Sequence, residues 1–242
     1  MKVFAATKKG KHGSNNDDRC LIGYTILADG EYSINLKKGI IAIADGVGGN
    51  NAGYVASQFV CHEISLTDTI SSDILARINK KLIERSMENI SWQGMATTLS
   101  GILFDNEYNI LFHVGNTRIY AVKAGAYLNQ LTNDDTTVNY LVKSGKLTEE
   151  DAENYHSKNE INACFGGGGE SLLKVKISNV NAVNDFLFTT DGVHETLSID
   201  DMEDILEKTS DKGNICKSMI IKAIELGSED DCTVIYIDNS EV

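Results

Sequence analysis

Short apolar and β-branched runs, each closed by Gly, Asn or Asp, fill the first half of the chain: Cys20 to Ala28, Ile40 to Ala44, Met95 to Phe104, Ile110 to Val114, Ile119 to Val122 and Tyr127 to Leu131. Runs of this length between turn residues predict strands. The polar bridge from Asp105 to Asn109, between two of them, predicts a hairpin and therefore antiparallel pairing. Helical spacing occurs over Ala52 to Ile64, Ile70 to Met87, Ile199 to Leu206 and Ile215 to Leu226; in the last, Ile215, Met219, Ala223 and Leu226 share a face. Helix pairs near each end, with strands clustered between them, predict an α+β layered domain rather than alternating βαβ units. From Thr132 to Gly169 the pattern turns polar and mixed, with a capping-box-like Thr148-Glu149-Glu150-Asp151 and the glycine run Gly166 to Gly169. That stretch reads as a helical insert of the kind that carries specificity.

Two apolar runs end in the same dipeptide: Ile40 to Ala44 leads into Asp45-Gly46, and Phe186 to Thr190 into Asp191-Gly192. Asp17-Asp18 stands just before Cys20 to Ile22, and Asp230-Asp231 just before Thr233 to Ile237. Carboxylates delivered at strand tips from four distant stretches predict an oxygen-rich nest at one edge of the core. Such a nest suits Mg²⁺ or Mn²⁺ rather than zinc.

Composition narrows the picture further. With 42% hydrophobic and 24% charged residues over 242 positions, disordered and fibrous classes drop out and one sizeable core is possible. A single domain over 1–242 is expected. The net charge of −13 repels phosphate backbones and anionic lipid, so neither nucleic acid nor a membrane surface is an expected partner. Five scattered cysteines without C-x-x-C spacing argue against a disulfide framework or a structural zinc and for a reducing cytosol. The apolar residues between Lys2 and Lys8 are too few for a signal peptide, and no run reaches membrane-spanning length, so a cytoplasmic protein is expected.

The turn that Asp45 opens, from Asp45 to Gly53, matches neither phosphate-loop template: it lacks Gly-Lys-Ser/Thr, and Asn51 takes the last glycine position of G-x-G-x-x-G. Its use is close approach of backbone to an ion, because Gly46 has no Cβ. His12, His62, His113, His156 and His194 show neither H-x-x-x-H nor triad spacing and are read as surface or core imidazoles, with His194 three residues past Asp191. Cys20 and Cys232 border acidic motifs, where a thiolate is disfavoured, so neither is read as a nucleophile.

Seven segments then fall into one order: Asn15-Asn16-Asp17-Asp18; Ala44-Asp45-Gly46-Val47-Gly48-Gly49 with Gly53 and Ala56-Ser57; Ala96-Thr97-Thr98-Leu99; Val114-Gly115-Asn116-Thr117-Arg118; Leu131-Thr132-Asn133-Asp134; Thr190-Asp191-Gly192; and Asp230-Asp231-Cys232-Thr233-Val234. Together they resemble the metal-dependent protein phosphatases of the type 2C (PPM) family in its compact bacterial form. Each motif is weak alone, but the ordered set is strong. The resemblance implies a four-layer αββα sandwich, two antiparallel sheets between helix pairs, with 132–169 as a flap-like insert. It implies a serine/threonine phosphatase acting on phosphorylated proteins against a serine/threonine kinase, and a monomer. It also implies two Mn²⁺ or Mg²⁺ ions and an activated water that attacks phosphorus without a covalent intermediate. Asp45 matches the bridging ligand, Gly46 the carbonyl ligand, and Asp191 and Asp230 the other direct carboxylates. Asp17, Asp18 and Asp231 match positions that orient ion-bound waters; Asp45, Asp191 and Asp18 are the expected catalytic residues, and Asn in place of Asp45 or Asp191 is expected to abolish turnover.

The chain also departs from the family pattern. Gly13 stands where an Arg normally binds the substrate phosphate; Lys11 or His12 is the substitute, and weaker binding is expected without a guanidinium fork. The usual Gly-Asp-Ser-Arg is Gly115-Asn116-Thr117-Arg118, so a third, looser ion at Asn116 is expected to bind poorly. Asp231 replaces an Asn and Asp135 a His, and neither change has an account at the level of sequence. These departures define an alternative, a catalytically impaired pseudophosphatase serving as a binding or regulatory module. The intact Asp45, Asp191 and Asp230 decide for the enzyme, and the polar insert favours a protein over a small phosphate ester as substrate.

Overall fold

Alternating apolar side chains build two six-stranded sheets that share an interior. One runs β10 (Leu128–Gln130), β9 (Arg118–Val122), β13 (Asp185–Thr189), β14 (Cys232–Asp238), β1 (Lys2–Lys8) and β4 (Gly30–Asn35). The other runs β12 (Lys176–Val180), β8 (Asn109–Val114), β7 (Leu99–Phe104), β5 (Gly39–Ala44), β2 (Arg19–Ile22) and β3 (Thr25–Leu27). All of these neighbours pair antiparallel. A short ladder joins β6 (Ala96–Thr97) to β11 (Phe165–Gly166). The structure, a computed structural model, describes residues 1–47, 52–106, 108–124, 126–153, 155–156, 160–167, 173–181 and 184–239. Gly48, Gly49, Asn50 and Asn51 of the Asp45 turn, Glu107 of the hairpin, and Gly168 and Gly169 lie outside the described residues.

The period of two along each strand sorts its residues between layers. On β5, Ile41 and Ile43 enter the layer between the sheets, while Ile40, Ala42 and Ala44 join the layer under α1 (Gly53–Ser65) and α2 (Ser72–Ser86). On β14, Ile235 and Ile237 point inward, and Val234 and Tyr236 pack with α6 (Ile199–Lys208) and α7 (Ile215–Glu225). Phe104 and Phe186 meet edge to face between the sheets with ring centroids 5.8 Å apart. Each such fully buried side chain contributes about 1.5–3 kcal/mol of transfer free energy, which fixes the register of the sheets and, with it, the end at which each strand stops. The result is the expected αββα sandwich.

Local signals place the helix starts. Ser71 Oγ accepts from the Ile74 N–H ahead of α2, and Ser198 with Asp201 forms a reciprocal capping box on α6. In the insert, Thr136 caps α3 (Thr137–Lys143), and Thr148 Oγ1 accepts from Asp151 N at 3.1 Å to start α4 (Glu149–Glu153). The two ends of the insert meet where Thr136 bridges Ile161. Its chain then returns through β11 to pair with β6, whose Thr97 donates to the Asp45 carbonyl.

Several elements differ from expectation. The run Cys20 to Ala28 is broken by a turn at Gly23 and Tyr24 into β2 and β3, and Met95 to Phe104 is broken at Thr98, whose N–H goes to Asp45 O at 2.8 Å instead of a strand partner. Lys2–Lys8, passed over as an N-terminal stretch, is a strand between β14 and β4. Gly30–Asn35 and Lys176–Val180 are edge strands without an apolar signature, since their residues are mostly exposed or half-buried.

Candidate active site

Antiparallel pairing decides where the acidic tips go. Arg19 at the start of β2 pairs with Ala44 at the end of β5, so Asp17, Asp18 and Asp45 leave that sheet at one end. Thr189 at the end of β13 pairs with Val234 near the start of β14, which sets Asp191 beside Asp230 and Asp231. Thr190 Oγ1 ties the two groups together, donating to Asp18 Oδ2 at 2.9 Å and accepting from Thr233 N at 3.0 Å. Asp17, Asp45, Gly46, Asp191, Asp230 and Asp231 line one cavity of about 420 Å³, with Asp18 buried behind them.

Each carboxylate has its own support. Asp45 is fixed through its backbone: its N–H donates to Thr98 Oγ1 at 3.0 Å, and its carbonyl accepts from Thr97 Oγ1 at 2.9 Å and Thr98 N at 2.8 Å. The side chain faces the cavity and meets Asp191 there. Asp191 opens α5 (Asp191–His194), where its Oδ2 accepts the Asn116 amide at 2.8 Å. Asp17 takes Tyr54 N on Oδ1 at 3.0 Å, and its carbonyl accepts from Gly46 N at 3.1 Å and Ser57 Oγ at 2.6 Å, so it locks the start of α1 to the Asp45 turn. Asp231 spends both oxygens on backbone, accepting from Gly10 N at 2.7 Å and Asp17 N at 2.5 Å. This accounts for an Asp where Asn is usual, because an amide has only one accepting oxygen.

Crowding raises the carboxyl pKa values. Burial, then Asp191, Asp18 and Asp230, hold Asp45 well above the ordinary carboxylate range. For Asp18 burial leads again, opposed by a Thr233 hydrogen bond and reinforced by Asp231 and Asp191. Asp230 is raised by burial and Asp191, and Asp17 by burial against the Tyr54 hydrogen bond, with Asp231 adding to it. Bare carboxylates in such a place need a counter-charge, whether proton or cation.

The residues fit hard divalent cations. The carboxylates offer only oxygen, and two buried oxygens, Asp18 Oδ1 and Asn116 Oδ1, have no hydrogen-bond partner among the described residues. Among the described residues no three His, Cys, Asp or Glu side chains already stand as a formed metal site. Asp191 Oδ2 is taken by an amide and Asp231 by the backbone, so the carboxylate oxygens left to hold a cation would be those of Asp45 and Asp230 and the second oxygen of Asp191.

The phosphate-binding candidates separate. His12 lines the cavity, with Nε2 3.2 Å from Glu229 Oε2; Lys11 does not line it and donates to Glu229 Oε1 at 3.0 Å. Gly13 has a φ of +67°, a left-handed conformation that an Arg rarely adopts, so this loop is built for glycine rather than merely lacking a side chain. His194 is buried against Thr189 Oγ1 at 2.8 Å, and burial followed by Arg118 pushes its pKa well below the usual imidazole value. It does not line the cavity. All five cysteines are buried and unpaired, and burial pushes Cys232 up to about 11. Glu229, Thr98 and Thr190 were not singled out as site residues from the sequence. Adjacency to Asp230, Asp45 and Asp191 in chain or sheet was the available signal.

A two-sheet αββα sandwich with a carboxylate nest at the strand tips is a fold and site suited to divalent cations. The model of the protein phosphatase 2C family matches residues 7–217, and the chain belongs to this family of metal-dependent serine/threonine protein phosphatases. It is 26% identical over 253 residues to the serine/threonine phosphatase stp of Listeria welshimeri, covering 99% of this chain and 96% of that protein. With the serine/threonine protein phosphatase PstP of Mycobacterium tuberculosis the identity is 30% over 223 residues, which is 88% of this chain and 43% of that protein. The crystal structure of the M. tuberculosis phosphatase PstP/Ppp superposes with a TM-score of 0.79 at 25% identity, covering 98% of this chain and 99% of that one. A structure of the PstP catalytic domain in complex with two manganese ions superposes at 0.75 with 25% identity, covering 98% of this chain and 99% of that one. Divalent-metal dependence follows for the family fold.

Proposed function

We propose that this chain hydrolyses phosphoserine and phosphothreonine in protein substrates without a covalent phosphoenzyme. Asp45, the Gly46 carbonyl, Asp191 and Asp230 hold two divalent cations, manganese or magnesium. The observation that carries this reading is the convergence of four acidic strand tips on one cavity, with Asp191 close enough to Asp45 to raise the cost of charging it. When bound, the cations activate a water and neutralise charge on the transferring phosphoryl group.

The chain's own residues do the positioning. Thr97 and Thr98 fix the Asp45 backbone, so its carboxylate would be presented to a cation from a set position. Asp18, with Thr190 on one oxygen, keeps the other available to water. Asp17 and Asp231 act through the backbone, setting the path from Gly10 to Gly46. His12, oriented by Glu229, meets the substrate phosphate from the rim, more weakly than a guanidinium fork. The insert 132–169 reaches the cavity at Ile161, which supports a phosphoprotein over a small ester. No described helix is long and apolar enough to cross a membrane; the reading is completed by a cytosolic, monomeric catalytic domain over 1–242 that opposes a serine/threonine kinase.

The test is turnover of a phosphothreonine peptide and of p-nitrophenyl phosphate, with and without Mn²⁺, beside Asp191→Asn. Manganese-dependent hydrolysis of both, lost in the variant, is expected. Metal-independent turnover removes the dimetal mechanism, and metal binding with no turnover replaces the enzyme by the binding module.

A further inference from the structure

Asp135 and the buried His113 take no part in the chemistry above, yet they belong to one polar network under the site. His113 Nε2 lies 2.9 Å from the Asn133 carbonyl, which only accepts, so this nitrogen donates and Nδ1 accepts from Ser100 Oγ at 2.7 Å. Ser100 Oγ in turn meets Thr117 Oγ1 at 2.5 Å. Beside this chain, Asp135 clamps Gly115 from both directions: its Oδ2 accepts from Gly115 N at 3.2 Å, and its own N–H donates to Gly115 O at 2.7 Å. The other carboxylate oxygen pairs with the Lys176 ammonium on β12, and Lys176 Nζ also donates to Asn133 O at 3.1 Å. Asp135's carbonyl accepts from Asn162 N at 2.8 Å, where the insert returns.

Gly115 sits between the supports of both principal carboxylates. Its φ is +108°, and a Cβ there would come within 2.5 Å of Thr98 Cγ2, so its backbone presses directly on the residue that holds Asp45. The next residue, Asn116, holds Asp191. Beside the Thr190 tie, a second route between Asp45 and Asp191 therefore runs through this glycine, and Asp135 fastens it.

We infer that Asp135, braced by Lys176, is a positioning residue that sets the separation of Asp45 and Asp191 through Gly115. The inference rests on the dimetal reading of the site. It assigns a role to the position where Asp replaces the usual His, and it links the base of the insert to the metal ligands. Losing residues that orient metal ligands costs about 10–100-fold in affinity.

Two variants test it, Asp135→Ala and Lys176→Met, the second at a half-exposed side chain whose loss leaves the core intact. Manganese binding is measured by calorimetry, amide exchange of Gly115 and Asn116 in the metal-free protein, and kcat and KM with p-nitrophenyl phosphate. Asp135→Ala is expected to weaken manganese binding by about tenfold or more, speed exchange at both amides, and lower kcat with little change in KM. Lys176→Met separates geometry from charge. Removing a cation from the neighbourhood tightens manganese binding if only charge matters, whereas a loosened clamp weakens it. Unchanged affinity in Asp135→Ala, or unchanged or tighter affinity in Lys176→Met, overturns the inference alone. A wild-type protein that binds no manganese overturns the dimetal reading and takes this inference with it.

Discussion

Asn116 donates its side-chain amide to Asp191 Oδ2 at 2.8 Å, so a neutral group holds this carboxylate where the family pattern has an acid. Its own Oδ1 is buried without a hydrogen-bond partner. An amide keeps Asp191 in place and adds no charge for a further cation. Asn116→Asp reverses both effects. Two carboxylates at about 4 Å repel by about 1–4 kcal/mol between water-like and surface-like screening, so the metal-free variant melts lower than wild type. With manganese, its turnover keeps rising at concentrations that saturate wild type, and calorimetry detects an additional weak site. A manganese curve identical to wild type counts against this account of position 116.

Asp45→Asn is expected to abolish turnover without unfolding the chain. The Asp45 backbone is held by Thr97 and Thr98 regardless of its side chain, and the neighbours that raise its pKa lose a repulsive partner. The metal-free variant melts at or above wild type, each kcal/mol of relief being worth about 2–4 °C at this chain length. A lower melting temperature of the metal-free variant contradicts it.

Protonation of the nest gives the metal-free protein an unusual pH dependence. Asp45 and Asp18 bind protons more tightly folded than unfolded, because burial and neighbouring carboxylates raise both above the ordinary value of 3.8. The folded state therefore carries more protons than the unfolded state above that value, and stability falls as pH rises through the raised folded values. Manganese requires the deprotonated ligands, so its binding strengthens as pH rises and releases protons. Thermal melts from mildly acidic to neutral pH are expected to fall without metal and to lose that fall with saturating manganese. A metal-free melting temperature that climbs over the same range rules this out.

Gly13→Arg supplies a guanidinium at the rim. Space is available, the nearest atom to a Cβ being Asn15 O at 3.8 Å, but φ is +67°. Left-handed backbone costs an ordinary residue about 1–2 kcal/mol, and a hydrogen bond to a charged group returns about 1.5–3 kcal/mol. The strain is borne with and without substrate and lowers the melting temperature by about 2–8 °C, whereas the hydrogen bond forms only with substrate and is expected to lower KM for a phosphothreonine peptide by about tenfold or more, with kcat little changed. An unaltered KM shows that the loop carries this position away from the phosphate.

Local pattern was enough for the elements whose burial is written in their own residues. Ile40 to Ala44 and Phe186 to Thr190 announce buried strands, and the helices over 52–64, 70–87, 199–206 and 215–226 appear within a residue or two as α1, α2, α6 and α7. The acidic tips were legible for the same reason, because a carboxylate directly after a buried run stands at its end. Elements whose neighbours lie far away were not. β1 owes its place to β14, more than two hundred residues on, and the edge strand Lys176–Val180 buries too little of itself to leave a period.

The order of residues alone sets the alternation of buried and exposed positions, hence the layers, and the identity of the residues at the strand ends. Which of those ends meet, and what each acid does there, is set by the assembled fold: Asp231 bonding the Asp17 N–H across a separation of 214 residues, Asn116 on Asp191, Asp135 on Gly115. The physical reason is range. Hydrophobic periodicity is set by a residue's own environment and repeats along the chain, whereas a hydrogen bond between distant segments exists only once sheet register has brought its two atoms within about 3 Å.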